Sequence, residues 1–259
     1  MKMYQEMGYS KEFFNVTDAQ NFFADLHSSM KNEVGQMSDN EIISCNFDEW
    51  ADYLTTKYSV MPVSIFETNI EKSLTEIKVK KENPFRGAFG QKDFFEVDGV
   101  RITFRIPFDG NPKLFEVEPS TCILLRFFTR SFIAPYAEDC GSFTLDFEYT
   151  KQELQDKGNS MAEYVQKRFE NEFSSYKKMI GYVNDEVDSY NKNLRALAIR
   201  LLKDRKEKAD SLSSISAALQ IPLSVSKNAP NTKPIELKRI VHRSPSKPKV
   251  KMSVPEYCI

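Results

Sequence analysis

A chain of 259 residues with 41% hydrophobic and 12% aromatic content can bury a sizeable core and fits one large or two small domains. Lys and Arg number 36 against 37 Asp and Glu, and the net charge of −1 excludes a global attraction to nucleic acid or an anionic membrane. No apolar run reaches the roughly 18 residues of a bilayer span, and Cys45, Cys122, Cys140 and Cys258 form no C-x-x-C pair and neighbour neither His27 nor His242, so no zinc site is encoded locally. The opening residues lack the basic start, apolar run and cleavage site of a secretory signal. The expectation is a cytoplasmic protein with no membrane partner and with free, mostly buried thiols.

Thr17-Asp18 is a good helix cap, and Phe22, Phe23, Leu26 and Met30 follow it at helical spacing. Residues 34–40 break that helix, and a second is predicted from about Phe47 to Tyr58, with Trp50, Leu54 and Tyr58 on one face. The period then changes to two. Residues 62–66 and 73–80 read as strands, and residues 82–93, with Pro84, Gly87 and Gly90, read as a loop.

Asp98-Gly99 is the strongest turn signal, because a tight hairpin needs positive φ at its centre; it predicts a hairpin joining 94–97 to 100–108. In the second of these strands Val100, Ile102, Phe104 and Ile106 face the core, and Arg101, Thr103 and Arg105 face out. A turn is predicted at Asp109-Gly110-Asn111-Pro112. Residues 123–133 and 142–149 complete an antiparallel sheet of about five or six strands. Thr150-x-x-Glu153 is a capping box that opens a helical pattern running, with a weak point at Gly158-Asn159, to about Leu219. Ile221-Pro222 stops it.

Within that pattern Phe173, Tyr176, Ile180, Val183, Val187, Tyr190, Leu194, Leu197 and Leu201 recur three and four residues apart, a heptad seam. It covers roughly 28 residues, about 42 Å of helix. Such a stripe either packs on the sheet of its own chain or pairs two copies as a homodimer, and its length favours a partner. The predicted class is α+β: an antiparallel sheet with short N-terminal helices and a long C-terminal helical hairpin or coiled-coil segment. The regions are 1–59 helical, 60–149 sheet, 150–223 helical, and 224–259 a basic, largely disordered tail. That tail carries eight basic residues against Glu236 and Glu256, a net of +6, which leaves −7 on residues 1–223.

Trp50…Tyr58-Ser59-Val60…Pro62-Val63, then Ile106-Pro107-Phe108-Asp109-Gly110-Asn111-Pro112-Lys113-Leu114-Phe115, then Tyr190-Asn191-Lys192-Asn193-Leu194 and Leu219-Gln220-Ile221-Pro222-Leu223 together cover residues 45–223. In this order they resemble an N-terminal module of bacterial conflict proteins, antiphage defence proteins in which it precedes a restriction-endonuclease-like or Toll/interleukin-receptor-like effector domain. The resemblance implies a non-enzymatic scaffold or sensor subunit that controls a separate effector. It carries no effector activity onto these 259 residues. The seam is then the expected assembly element, and Arg101, Arg105, Asp109 and Asn111 are the expected recognition surface.

Other chemistry is thinly encoded. Glu76-x-Lys78 on a strand matches the end of a metal-dependent nuclease signature, which needs a second carboxylate on a neighbouring strand, for example Asp98, whose place the predicted hairpin turn already explains. Asp146 and Glu148 share a strand face that suits either a divalent cation or, more simply, solvent. His27 reads as a surface or boundary residue, since no motif places a nucleophile beside it. No phosphate-cradling glycine motif occurs and no cofactor is expected. Arg195, Arg200, Lys203, Arg205, Lys206 and Lys208, interleaved with acids, read as a solvated helix face. In the tail, Lys238, Arg239, Arg243, Lys247, Lys249 and Lys251 join positive charge to flexibility and could track a nucleic-acid backbone.

Overall fold

The computed structural model describes residues 11–83 and 94–219. Its N-terminal region enters the fold as strand before it becomes helix. Strand β1, Lys11–Phe13, pairs antiparallel with Phe127–Thr129, and β2, Thr17–Asp18, pairs parallel with Val117–Glu118. Asp18 then caps helix α1, Ala19–Gly35, its carboxylate accepting from the Asn21 N–H at 2.7 Å. Ser38 and Glu41 form a capping box on a short helix α2, Asp39–Ser44, which begins at the end of the predicted break of residues 34–40. Helix α3, Phe47–Tyr58, matches its predicted bounds.

The main sheet has five strands: β3 (Ser64–Ile65), β4 (Glu71–Glu82), β5 (Phe94–Asp109), β8 (Phe132–Ile133) and β9 (Gly141–Thr150). Its order is β3-β5-β9-β8, with β4 also on β5, and every pairing is antiparallel. The segments Val117–Glu118 and Phe127–Thr129 that receive β2 and β1 are β6 and β7. Residues 123–133, expected as one strand, are therefore two short ones, β7 and β8, facing different partners.

The predicted hairpin at Asp98-Gly99 does not form. Both residues lie inside the 16-residue β5, Asp98 opposite Lys78 and Gly99 opposite Ile77. Glycine is required there for close approach rather than for a turn: a Cβ would sit 2.4 Å from Val79 Cγ2 and 2.5 Å from the Tyr149 carbonyl oxygen. Gly110 fits the expected turn, with φ of +108° and the Pro62 carbonyl oxygen 2.2 Å from where a Cβ would be. Most of the predicted loop of residues 82–93 lies outside the described residues.

Thr150 and Glu153 cap helix α4, Lys151–Lys157, by the expected box. After a 3-10 turn at Gly158–Ser160, helix α5 runs unbroken from Met161 to Ala218, 58 residues or about 87 Å. The C-terminal segment is thus one long helix, with no hairpin turn within it. It lies on the chain's own core. Phe169 stacks on Phe104 of β5 with ring centroids 4.0 Å apart, and Tyr176 packs edge-on against Phe127 at 4.8 Å. Further along, Tyr190 stacks on Phe23 of α1 at 4.7 Å.

The heptad seam is accordingly interior. Phe173, Tyr176, Ile180, Val183, Val187, Tyr190 and Leu194 are buried, whereas Leu197 and Leu201 are only half-buried. In their place Ala198 and Leu202 are fully buried, so the buried line from Val165 to Leu202 advances about 3.7 residues per step. Within the seam from Phe173 to Leu194 the heptad spacing is kept, and the drift enters at the four-residue steps on either side of it. The seam residues from Phe173 to Leu194 thus pack on the chain's own core.

Polar side chains on α5 complete the packing. Asn184 accepts from the Val63 N–H at 2.9 Å and donates to the Val63 carbonyl at 2.8 Å. Asn191 does the same to Val60 at 3.0 and 2.7 Å, and the Tyr176 hydroxyl to Phe128 at 2.9 and 2.8 Å. Asn184 and Asn191 give the irregular segment around Val60 and Val63 the hydrogen bonds that a neighbouring strand would supply, and Tyr176 gives them to Phe128 of the short strand β7. One core cluster joins all these elements, so the described residues of the three regions interlock up to Ser214, where the first compact unit ends. In the second unit, Ile215–Ile259, the described residues end at Leu219, and the basic tail lies outside them.

Candidate functional site

Strand alternation gives the sheet two unlike faces. Phe104, Phe147 and Tyr149 point toward α5; Arg101, Thr103 and Arg105 on β5 and Thr144, Asp146 and Glu148 on β9 point to the other side, paired in register as Arg101–Glu148, Thr103–Asp146 and Arg105–Thr144. On that second face a charged network is assembled. Glu148 Oε1 accepts from Arg101 Nε at 3.2 Å and Nη2 at 3.0 Å, and from Arg130 Nη2 at 2.7 Å. Asp146 accepts from the Thr103 hydroxyl and, at 3.3 Å, from Thr144 Oγ1, with Arg130 Nε 3.7 Å away.

The link between β7 and β8 folds across the end of this face and carries Arg130 over it. Thr129, fully buried, fixes that link: its hydroxyl donates to the Ser131 and Thr144 carbonyls at 2.7 and 2.9 Å and accepts from the Thr144 N–H at 3.0 Å. The Asp146 side chain is only 3% exposed, so its partners are held in place: losing one would leave a buried charge uncompensated, at about 3–5 kcal/mol. Two carboxylates and two guanidiniums balance one another, and the positions a divalent cation would need are taken by Arg101 and Arg130. Among the described residues no group of three or more His, Cys, Asp or Glu side chains is placed to hold a metal.

Arg105 lies beside the network and is exposed, with no ion pair among the described residues. It is open to a partner, with Glu71 of β4 opposite it in register. Arg101 and Arg105, expected as a recognition surface, are thus on one face, and Asp109 and Asn111 lie at the turn that ends β5. Asp109 accepts from the Gly110 N–H at 2.7 Å, and Asn111 caps the 3-10 helix Pro112–Glu116 by accepting from the Lys113 N–H at 3.0 Å. Both serve the turn that seats the buried Leu114 and Phe115. Arg130, Thr129 and Thr144 escaped sequence reasoning because no motif marks them; their role depends on how the β7–β8 link folds over β9.

Glu76, Lys78 and Asp98 are brought to one face of the β4–β5 pair, where Lys78 binds Asp98 at 2.5 Å and Glu76 accepts from Lys151 at 3.0 Å. Their mutual interaction raises the Lys78 pKa and lowers that of Asp98. All three side chains are more than 60% exposed, so nothing desolvates them as a catalytic site requires.

A second polar cluster joins α1 to α3: Glu33 accepts from Tyr58 Oη at 2.6 Å, Lys57 Nζ at 2.7 Å and Tyr53 Oη at 3.3 Å. Burial pushes the Glu33 carboxyl up, and the hydrogen bonds from Lys57 and Tyr58 outweigh it and hold the pKa below its ordinary value. Burial and the Glu33 bond push Tyr58 up to about 12. His27 is an exposed residue of α1 that stacks on Tyr190 at 5.2 Å, its pKa lowered by burial and by Arg200. Of the basic residues near the end of α5, Arg195 bonds Asp48 and Asp52, and Arg205 bonds Asp39 and the Met37 carbonyl, so the face read as solvated is partly tied to α2 and α3.

Cys45, Cys122 and Cys140 are free thiols, but Cys122 and Cys140 are exposed rather than buried. Lys238, Arg239, Arg243, Lys247, Lys249 and Lys251 lie outside the described residues. Among the described residues no helix is long and apolar enough to cross a membrane. Comparison of the chain with family models, curated proteins and solved structures finds no match.

Proposed function

We propose that this chain is a non-enzymatic scaffold or sensor subunit of a bacterial defence-type system, which controls a separate effector and recognises a partner on the polar face of its sheet. The observation that carries the reading is the pre-built network of Arg101, Arg130, Asp146 and Glu148, locked by threonine hydroxyls, with Arg105 exposed at its side. Such a face fixes its charges before a partner arrives, which limits the ordering cost of binding and selects partners by electrostatic fit. The resemblance of residues 45–223 to a module that precedes effector domains supplies the class of partner. Assembly has to use a surface other than the seam, because the chain's own core occupies it.

The test is co-purification of the full chain with the protein encoded beside it, followed by Arg105→Glu. The expected result is a complex that Arg105→Glu weakens at least tenfold while the far-UV spectrum and melting temperature stay unchanged. Association indifferent to Arg105→Glu removes the recognition face from the proposal. A second reading, a divergent metal-dependent nuclease, is favoured only by the register that sets Asp98 opposite Lys78 and near Glu76. Metal-dependent cleavage by the purified chain that Glu76→Ala and Lys78→Ala both abolish would replace the scaffold reading with it.

A further inference from the structure

Strand β4 is twelve residues long and pairs with β5 on one side only; among the described residues no strand lies on its other side. β3 and β4 occupy the same edge of β5 in succession, and β9 takes the opposite edge from Gly99 to Phe108. Every second residue of β4 therefore turns a backbone N–H and C=O away from the sheet, and the strand is exposed along the whole of Glu71–Glu76. A long edge of this kind is a template for another strand, and proteins commonly blunt it with lysine. Here Lys72, Lys78, Lys80 and Lys81 are present, but Glu71 and Glu76 interrupt them in a specific order.

We infer that β4 pairs antiparallel with β4 of a second copy of this chain, about a two-fold axis at Ile77, to make one continuous sheet from two. The charge order along the strand selects this register. With Ile77 opposite itself, Glu76 faces Lys78 of the second copy and Lys78 faces its Glu76, Lys72 lies across from Glu82, and Val79 packs beside Thr75. Shifting the strands by one residue in one direction sets Lys72 against Lys81 and Glu71 against Glu82. The shift in the other direction sets Glu76 against Val79 and Ile77 against Lys78, with no complementary pair. Such a slip also moves every side chain to the wrong face.

The pairings already present extend the pattern. In each copy Glu76 is bound to Lys151 and Lys78 to Asp98. Across the interface the row reads Lys151, Glu76, then Lys78 and Asp98 of the second copy, alternating in sign, with its two-fold mate alongside. The edge lysines repel an arbitrary strand and admit this one.

The experiment is sedimentation velocity and light scattering on the full chain over a micromolar concentration series, with Glu76→Lys and Lys78→Glu made singly. The wild type is expected to dimerise, and each single variant to weaken the dimer at least tenfold, because each sets like charges opposite one another twice. An equimolar mixture of the two variants is expected to associate again, since lysines at 76 and 78 in one chain then face glutamates at 76 and 78 in the other. A strictly monomeric wild type overturns the inference. So does a dimer indifferent to both substitutions, which would place the interface elsewhere. Protection of the β4 amides from hydrogen exchange that does not change with concentration also overturns it, by showing that the chain's own residues cover the edge.

Discussion

Helix α5 meets two unlike surfaces, and its two halves solve the contact differently. Over the sheet, from Val165 to Val183, it presents large side chains, with Phe169, Phe173 and Tyr176 packed into an aromatic layer with Phe104, Phe127 and Phe143. Beyond Val183 it meets the extended segment Tyr58–Val63 and helices α1–α3, and contact depends on Asn184, Tyr190 and Asn191 bonding backbone and on small residues such as Ala198 and Ala209. The five-stranded sheet satisfies its own backbone, so the helix over it mainly fills space, while Tyr176 bonds the N–H and C=O of Phe128 in the short strand β7. An irregular segment does not satisfy its own backbone, and the helix over it must supply hydrogen bonds.

This contrast can be broken by substitution. Phe169→Ala removes the ring stacked on Phe104 and Phe173 and is expected to cost about 3–5 kcal/mol in urea denaturation. Asn184→Ala leaves both the N–H and C=O of Val63 without their partner, for about 2–3 kcal/mol. If it costs as little as an average surface change, within about 0.5 kcal/mol, the second half is held by packing alone. The drift of the buried stripe is tested by a pair of variants. Ala198→Leu overpacks a fully buried site for about 1–3 kcal/mol, and Leu197→Ala costs about 1 kcal/mol or less. A seam that kept the heptad period would reverse that order.

A further small effect carries a pH signature. Glu33 binds Tyr58, whose carbonyl in turn accepts from Tyr190 at 3.1 Å. Since its folded pKa lies below the ordinary 4.5, the charged form stabilises the fold above that value, and the contribution disappears as pH falls through the folded pKa. Glu33→Gln is expected to cost about 1 kcal/mol at pH 7 and nothing measurable at acid pH, read as the separation of the two denaturation midpoints.

Much of the fold was legible because its signals are local. The Asp18 cap, the α3 bounds, the Thr150–Glu153 box, the 3-10 break at Gly158 and the inward-outward alternation of β5 all depend on residues within a few positions of one another. Asp98-Gly99 misled for the same reason. Its local preference for a turn is real, but pairing with β4 at both residues and with β9 at Gly99 holds them extended, and the glycine is needed because Val79 and Tyr149 come so close. The candidate site was half legible: alternation put Arg101 and Arg105 outward and Asp146 with Glu148 on one face, yet nothing near Arg130 in sequence announced that it would bridge the two acids.

By itself the sequence determined that there would be an α+β chain with a sheet, short helices before it and a long amphipathic helix after it, because hydrophobic period and caps are written residue by residue. Only the tertiary structure decided what the ladder from Phe173 to Leu201 rests on, since a stripe records that a helix buries a face and not against what. The residues that could have told, Asn184 and Asn191, take their meaning from Val63 and Val60, more than a hundred positions away along the chain.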